Sequence, residues 1–188
     1  MTGSTEFQRA LPILLSDEGG FVNDAQDPGG VTNLGVTLKA WAAYVGHAVT
    51  ERDMRSLTPA VVAPFYLSEY WTACSCDALP AGLAYLIFDT AANEGPDRAR
   101  MFLQRALGVV ADGNIGPVTL LALRGCDPPT VIRGVCASRE AHYRSLPTFH
   151  RFGKGWLSRL GKVQARSLFW AAIPAPRTLA EAAAARDV

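Results

Sequence analysis

The spacing of apolar residues along the chain predicts a protein built mainly from helices. Phe7, Leu11 and Leu14 form one stripe of a helix over residues 5–17, although Pro12 allows a kink or a later start. Similar apolar stripes predict a series of further helices. They cover residues 37–45, 59–72, 81–93, 97–107, 117–124, 130–145 and 156–172.

Residues with strong capping and turn preferences mark the boundaries between these helices. Thr37, Thr50 and Thr58 are each placed to cap a helix, and Asp53 forms a capping box with Thr50. Residues 22–36 are dense in Asn, Asp, Pro and Gly, which predicts tight turns and a short hairpin. The expected fold is therefore mainly α, with at most a small β-hairpin.

Composition and charge exclude several classes of protein. The chain has 188 residues, 49% apolar and 19% charged, which excludes a disordered chain, and it lacks an apolar run long enough to span a membrane. The net charge of +1 argues against a strongly basic nucleic-acid-binding protein. Residues 1–129 hold 8 basic and 14 acidic side chains, whereas residues 130–177 hold 9 basic side chains and one acidic. The basic segment is either a solvated face or a surface attracted to anions.

The N-terminus and the cysteines bear on the cellular compartment. The first residues lack the features of a Sec signal, which predicts synthesis in the cytoplasm. The four cysteines have no metal-binding spacing and are expected to be small buried side chains, with a disulfide formed after export as the alternative. They are Cys74, Cys76, Cys126 and Cys136. The three histidines also lack ligand spacing, so neither a metal nor another cofactor is predicted.

A glutamate followed by two glycines is the strongest candidate for chemistry. Glu18 ends the first predicted helix, where the helix dipole and any burial would raise the pKa of its carboxyl. A carboxyl that stays protonated near neutral pH suits a general acid, and Gly19 and Gly20 leave space for a bulky substrate. From the residues alone, an exposed helix end followed by an ordinary surface loop is the alternative.

Two motifs follow one another between residues 14 and 37. They are Leu14-Leu15-Ser16-Asp17-Glu18-Gly19-Gly20-Phe21-Val22-Asn23-Asp24 and Asp27-Pro28-Gly29-Gly30-Val31-Thr32-Asn33-Leu34-Gly35-Val36-Thr37. Together they resemble the opening signature of glycoside hydrolase family 108, the N-acetylmuramidases of phages, prophages and bacterial secretion-associated loci. The resemblance implies a lysozyme-like α+β fold with few strands.

The resemblance also implies roles for residues of this loop. Glu18 corresponds to the catalytic acid, which protonates the glycosidic oxygen between N-acetylmuramic acid and N-acetylglucosamine. Asp27 would stabilise the oxocarbenium-like transition state or position water, with a turn role before Pro28 as the alternative. Phage-type lysozymes space a Glu, then an Asp or Cys, then a Thr along the site. In that spacing Glu18 and Asp27 fit the first two positions, the third falls on Asn33, and Thr32 lies one residue earlier. Thr32 is accordingly predicted as catalytic and Asn33 as substrate-binding.

The segment Asp112-Gly113-Asn114-Ile115-Gly116-Pro117-Val118-Thr119 carries an Asp-Gly-x-x-Gly-Pro-x-Thr pattern. The pattern resembles small helical cell-wall-binding modules, and residues 86–124 resemble the predicted peptidoglycan-binding module of the family. Asp112, Gly116 and Thr119 are the module's motif positions, with Gly116 permitting an unusual backbone. A purely structural turn held against a helix is the alternative.

Three further side chains are predicted to bind substrate. Asp89 and Asn93 share one helix face and either line the sugar cleft or form a buried polar pair. Trp156 follows a glycine-rich aromatic turn predicted over 149–155, and it either stacks on a sugar or packs in the core.

These features predict a lysozyme-like peptidoglycan hydrolase that cleaves the β-1,4 bond without a cofactor. Residues 1–85 would form the catalytic part, 86–173 a peptidoglycan-binding part packed on it, and 174–188 a flexible tail. A lytic transglycosylase and a non-catalytic wall-binding helper of secretion are the alternatives. We expect a monomer that binds peptidoglycan glycan strands. It would leave the cytoplasm through a holin-type pore or a secretion apparatus and act in the periplasm or on the cell wall, as a phage endolysin does.

Overall fold

The computed structural model describes residues 3–17, 20–23 and 30–173. Within these ranges the chain forms nine α-helices and one antiparallel sheet of three short strands, as the sequence predicts. The strands are β1 (Val22–Asn23), β2 (Val31–Asn33) and β3 (Val36–Thr37). The helices are α1 (Thr5–Asp17), α2 (Leu38–Val45), α3 (Glu51–Arg55), α4 (Pro59–Tyr66), α5 (Ala81–Glu94), α6 (Pro96–Ala106), α7 (Pro117–Arg124), α8 (Pro128–Ser145) and α9 (Phe149–Ala172).

Helix α5 is the centre of the structure. Its residues from Gly82 to Ala91 are buried without interruption, and α1, α6, α8 and α9 pack around it. Such an all-round apolar helix is stable only inside a core, because it has no face for water. Gly82 allows the closest approach, since a Cβ atom there would lie 2.1 Å from the carbonyl oxygen of Ser167 on α9.

Helix α1 joins this core through the predicted stripe. The ring of Phe7 lies 5.5 Å from Trp71 and 5.8 Å from Phe88, both in edge-to-face arrangements. Leu14 has no exposed surface. Pro12 lies inside the helix, which nevertheless runs from Thr5 to Asp17. Burial of the stripe therefore outweighs the local cost of the proline.

The predicted helix caps are confirmed. Thr37 accepts a hydrogen bond from the backbone N–H of Ala40, and Thr58 caps α4 in the same way. Thr50 and Asp53 form the predicted capping box, in which Asp53 Oδ2 accepts from the Thr50 backbone N–H at 2.8 Å. These interactions span only three residues, which is why the sequence alone predicts them.

Two predicted elements differ from the structure. The helix predicted over 59–72 is α-helical only to Tyr66, and Leu67–Thr72 continues as a π-helix. The turn predicted over 149–155 is wrong, because α9 begins at Phe149. Gly153 is buried there, and a Cβ atom would lie 2.5 Å from the Phe149 ring, so this glycine serves packing within a helix.

The cysteines are free thiols, and three of them are buried, as predicted for small apolar side chains. Burial raises the pKa of Cys74 and of Cys136 to about 12, and that of Cys76 well above its usual value. Cys126 is only partly buried. Among the described helices, none is both long enough and apolar enough to cross a membrane.

The predicted boundary between residues 85 and 86 falls inside α5. This helix contacts α1 as well as α6, α8 and α9. The division into residues 1–85, 86–173 and 174–188 stays a prediction, and the last segment lies outside the described residues.

Candidate functional site

The first candidate site comprises residues that follow α1 in the chain together with residues of the three-stranded sheet. Glu18 directly follows α1 in the chain, and Asp27 belongs to the segment that connects β1 to β2; both lie outside the described residues. The sheet itself is well defined. Val22 pairs with Thr32, and Thr32 pairs in turn with Thr37, so Thr32 sits on the central strand.

A tight turn between β2 and β3 shapes the edge of this site. Leu34 and Gly35 both have positive φ, 50° and 75°, as a two-residue hairpin of the primed type requires. Leu34 is an unusual residue for this conformation. Its carbonyl oxygen accepts a hydrogen bond from Tyr66 Oη at 2.8 Å, which attaches the turn to the end of α4.

The side chains of Thr32 and Asn33 have different environments. Thr32 is half-buried, and its hydroxyl donates a long hydrogen bond of 3.4 Å to the Gly30 carbonyl. Asn33 is buried and donates through Nδ2 to the carbonyl of Met54 at 2.8 Å. Its amide therefore attaches β2 to α3, and the predicted contact with substrate stays a prediction.

A polar cluster on α3 holds the first strand. Asn23 donates through Nδ2 to Glu51 Oε2 at 3.0 Å, and Arg55 binds the other carboxylate oxygen of Glu51 at 2.7 Å. The guanidinium of Arg55 also lies 3.8 Å from the ring centroid of Phe21. This arrangement fixes both the chain before β1 and the residue that precedes the 24–29 segment.

The second candidate group lies on α5, and most of it is internal. Asp89 has no exposed surface, and its two carboxylate oxygens bind Arg139 at 2.6 Å and Arg159 at 3.0 Å. Asn93 donates through Nδ2 to the Asp89 carbonyl at 2.8 Å. Asp89 is therefore shielded from any glycan, but the predicted buried pair is not formed, because its carboxylate binds arginines and Asn93 is exposed. The substrate role of Asn93 stays a prediction.

Glu94 extends this charged cluster. Its Oε1 lies 2.6 Å from Arg139 Nε and its Oε2 lies 3.8 Å from His142 Nε2. Burial raises the pKa of Glu94 above its usual value, although the charge of Arg139 opposes the shift. Burial likewise raises the pKa of Tyr143, whose hydroxyl accepts from Arg139, to about 12.

These ion pairs change the interpretation of the basic C-terminal segment. Arg139 is fully buried, and Arg159 is largely buried, so neither presents its charge to an anionic surface. Arg144 is exposed but paired with Glu140 at 2.6 Å. In the described part of the segment, five other basic side chains remain exposed, namely Arg133, Arg151, Lys154, Lys162 and Arg166. The segment is therefore less basic at its surface than its sequence indicates.

The motif over residues 112–119 folds around Gln104 of α6. Gln104 is buried and donates through Nε2 to Asp112 Oδ1 at 2.7 Å and to the Asn114 carbonyl at 3.0 Å. Its Oε1 accepts from the Gly113 backbone N–H at 2.8 Å. Thr119 Oγ1 is a longer third partner at 3.3 Å.

The hydrogen bonds to Gln104 and Asn114 lower the pKa of Asp112. These contacts favour the structural alternative for Asp112 and Thr119. The unusual backbone predicted at Gly116 is wrong, because its φ of −106° is open to any residue, and the left-handed glycine of this motif is Gly113, with φ 75°. The motif thus shapes a turn against α6.

Trp156 lies on α9, half-buried. Its ring centroid is 5.3 Å from Tyr143 and 5.8 Å from Phe152, and the rings are tilted. One part of the ring packs in the core while another part is accessible. Stacking on a sugar stays a prediction. In the described part of the chain, no three His, Cys, Asp or Glu side chains come together to hold a metal ion.

Two residues of these clusters escaped the sequence analysis. Gln104 and Arg139 join segments that are 9 and 50 residues apart. Neither residue has a local pattern that signals its partner. The sequence offers one signal for each of them, namely a polar residue at a position where the helix pattern predicts an apolar, inward-facing one.

Comparisons with known proteins agree with this architecture. The family model described as Glycosyl hydrolase 108 matches residues 11–95, and the one described as Predicted Peptidoglycan domain matches residues 98–161. A search of curated proteins found no match.

A solved structure described as "Structure of Brucella abortus SagA" is similar at 39% identity with a TM-score of 0.83. The alignment covers 90% of this chain and 98% of that chain. A sequence identity of 39% over nearly the whole of that chain indicates a shared family and not only a shared fold. The chain therefore belongs to glycosyl hydrolase family 108 and is a peptidoglycan hydrolase with a peptidoglycan-binding domain on its C-terminal side.

Proposed function

We propose that this glycoside hydrolase is an N-acetylmuramidase that cleaves the β-1,4 bond between N-acetylmuramic acid and N-acetylglucosamine. One observation carries the proposal: the buried stripe of α1 holds the last turn of the helix immediately before Glu18. Leu14 is fully buried and Leu15 is 8% exposed, so both belong to the core in the last turn of α1. Catalysis requires a precisely positioned carboxyl, and a chain that is anchored in the core up to the preceding turn favours such positioning.

Glu18 is the proposed general acid. It follows the C-terminal end of α1, where the negative end of the helix dipole favours the protonated carboxyl. The proton passes to the glycosidic oxygen as the bond to the anomeric carbon breaks. Asp27 is the proposed second carboxylate, which either stabilises the oxocarbenium-like transition state or orients the attacking water. Thr32, on the central strand, is the proposed partner of that water.

The same proposal includes where the enzyme works. Peptidoglycan lies outside the cytoplasmic membrane, so a protein made in the cytoplasm has to reach it. We propose release through a holin-type pore or a secretion apparatus, as a phage endolysin or a secretion-linked muramidase would need. Action on the wall as a monomer completes the proposal.

The test compares the wild type with Glu18→Gln on purified peptidoglycan, with released fragments identified by mass spectrometry. Reducing N-acetylmuramic acid ends from the wild type, and their loss in Glu18→Gln, are expected. Glu140→Gln is the matched control, because Glu140 is an exposed glutamate on α8, and it should retain full activity.

Other outcomes distinguish the alternatives. Anhydro-muramic ends would identify a lytic transglycosylase and contradict hydrolysis. Reducing N-acetylglucosamine ends would show cleavage of the other glycosidic bond. Equal inactivity of the wild type and Glu18→Gln, with peptidoglycan still bound, would contradict the muramidase proposal and favour a wall-binding protein. Undiminished activity of Glu18→Gln would exclude Glu18 as the acid.

A further inference from the structure

A groove between α6 and α8 has a chemistry that the proposed muramidase reaction does not use. It has a volume of about 410 Å³ and opens to solvent. Its walls combine cationic, apolar and hydroxyl groups. They come from Arg98, Met101, Phe102 and Arg105 on α6 and from Ser138, Ala141 and His142 on α8.

The two arginines give the groove its charge. Arg105 is exposed and Arg98 is half-buried. Burial lowers the pKa of His142, and the charges of Arg98 and Arg105 lower it further. Among the described residues, the partners of these guanidinium groups are the Glu94 carbonyl oxygen, 3.0 Å from Arg98 Nη1, and the Phe102 ring, 5.8 Å from Arg105. Neither partner is a carboxylate.

Glu94 interacts with the charge of Arg98 but is held mainly by Arg139. Glu94 is 3.8 Å from His142, but it is 6% exposed and its other oxygen faces Arg139 at 2.6 Å. His142 itself is mainly neutral at pH 7, because its pKa is lowered from 6.5. The guanidinium groups of half-buried Arg98 and exposed Arg105 thus line the groove beside an apolar floor of Phe102 and Met101.

We propose that this groove binds a carboxylate of a peptidoglycan stem peptide. An arginine guanidinium matches a carboxylate through two parallel N–H···O bonds, and a second arginine adds a further charge-assisted bond. The apolar floor suits the alkyl part of an adjoining amino acid, and the Ser138 hydroxyl suits a peptide group. Glycan without peptides keeps a lactyl carboxylate on each N-acetylmuramic acid, but it lacks the amino-acid side chains and peptide groups that fit the apolar floor and the Ser138 hydroxyl.

The location of the groove agrees with this ligand. Its residues lie at positions 98–142, all within the range matched by the predicted peptidoglycan domain. The proposal rests on peptidoglycan as the partner and is independent of Glu18 as the catalytic acid. It assigns the recognition of peptide to α6 and α8, whereas the glycan would be cleaved at the site after α1.

The test measures binding of the full chain to purified sacculi by sedimentation. Every protein carries Glu18→Gln so that the wall is not digested, and reducing-end release is followed in parallel. The groove variant is Arg98→Gln with Arg105→Gln. The control is Arg124→Gln with Arg166→Gln, which removes the same charge from exposed positions on α7 and α9. Circular dichroism confirms that each variant is folded.

Three wall preparations separate the sources of negative charge. Sacculi freed of phosphate polymers by hydrofluoric acid retain peptide carboxylates; an amidase then removes the peptides, or chemical amidation neutralises their carboxylates. On the first preparation the groove variant should bind about tenfold more weakly than its parent, and the control should stay within about twofold. On the amidase-treated and the amidated sacculi, the parent should itself bind weakly, and the groove variant should bind only slightly more weakly still.

Several outcomes would overturn the proposal. Equal weakening by both double variants would indicate attraction by overall charge. Unchanged binding after removal of the peptides would show that the protein recognises the glycan. On untreated sacculi, measured beside the three preparations, an effect of Arg98 and Arg105 that is absent from the phosphate-free sacculi would assign the groove to phosphate. Reducing ends released by Glu18→Gln would contradict the catalytic proposal and would leave the proposal for the groove unaffected.

Discussion

Arg139 on α8 donates through Nη1 to Asp89 Oδ1 on α5 at 2.6 Å, and neither side chain has any exposed surface. The two residues are 50 positions apart, and their pairing fixes α8 against the central helix. A charge in such a place is tolerated only with its partner present, because an isolated buried ion costs several kcal/mol.

We therefore predict that Arg139→Met destabilises the protein. The change leaves Asp89 with Arg159 alone and Glu94 without its nearest cation, so the free energy of unfolding should fall by about 3–5 kcal/mol. Urea denaturation followed by circular dichroism measures it. Arg144→Gln is the control, since this exposed i,i+4 pair with Glu140 should contribute only about 0.5 kcal/mol. A similar small loss in both variants would show that the buried pair contributes little.

Gln104→Leu should destabilise the turn over residues 112–119. The substitution keeps an apolar body in the core but removes the acceptor of the Gly113 N–H and the donor to Asp112, at a cost of about 2–4 kcal/mol. Hydrogen exchange should show faster exchange of the Gly113 amide than in the wild type. Gln8→Leu, at an exposed position on α1, should leave that amide protected. Unchanged protection of the Gly113 amide in Gln104→Leu would mean that the turn is stable without the side-chain amide of Gln104.

The lowered pKa of His142 predicts a pH dependence of stability. The unfolded chain, with a pKa near 6.5, takes up this proton more readily than the folded protein does. The stability that the folded protein gains from keeping His142 neutral is fully present above pH 6.5. It is lost as the pH falls towards the pKa of His142 in the folded protein. Glu94, with a raised pKa, acts in the opposite direction, and so only a difference between variants is informative.

Chemical unfolding of His142→Gln and the wild type, at about pH 7.5 and about pH 5.5, measures the effect. His142→Gln should lose less stability on acidification than the wild type. His150→Gln, at an exposed position on α9, should follow the wild type. An identical decline in all three proteins would contradict a lowered pKa, as would a ring-proton titration of His142 with a midpoint above 6.5.

Thr32→Val tests the proposed role of the central strand. Valine keeps the shape and strand preference of threonine, so the fold should persist, whereas loss of a hydroxyl that orients the attacking water should lower kcat about a hundredfold. Thr32→Ser should restore most of the rate. KM should change little in either variant. Full activity of Thr32→Val would show that the hydroxyl serves only its weak bond to Gly30.

Local interactions explain what the sequence by itself determined about this protein. The stripe of α1 and the caps at Thr37, Thr50 and Thr58 each depend on residues within one or two turns of the chain. Such interactions are visible in the order of residues, and so the mainly helical fold with a small sheet was predictable. The motif around Glu18 likewise indicated the family, because its residues are contiguous.

Tertiary structure alone decided the rest. Asp89 and Arg159 are 70 residues apart, and nothing near either one reveals that Asp89 is an internal counter-ion and not a sugar ligand. At 149–155 the glycines locally favour a turn, but packing of Gly153 against Phe149 makes the segment helical. The free energy gained by burial depends on which surfaces pack together, and segments that are distant in the chain supply those surfaces.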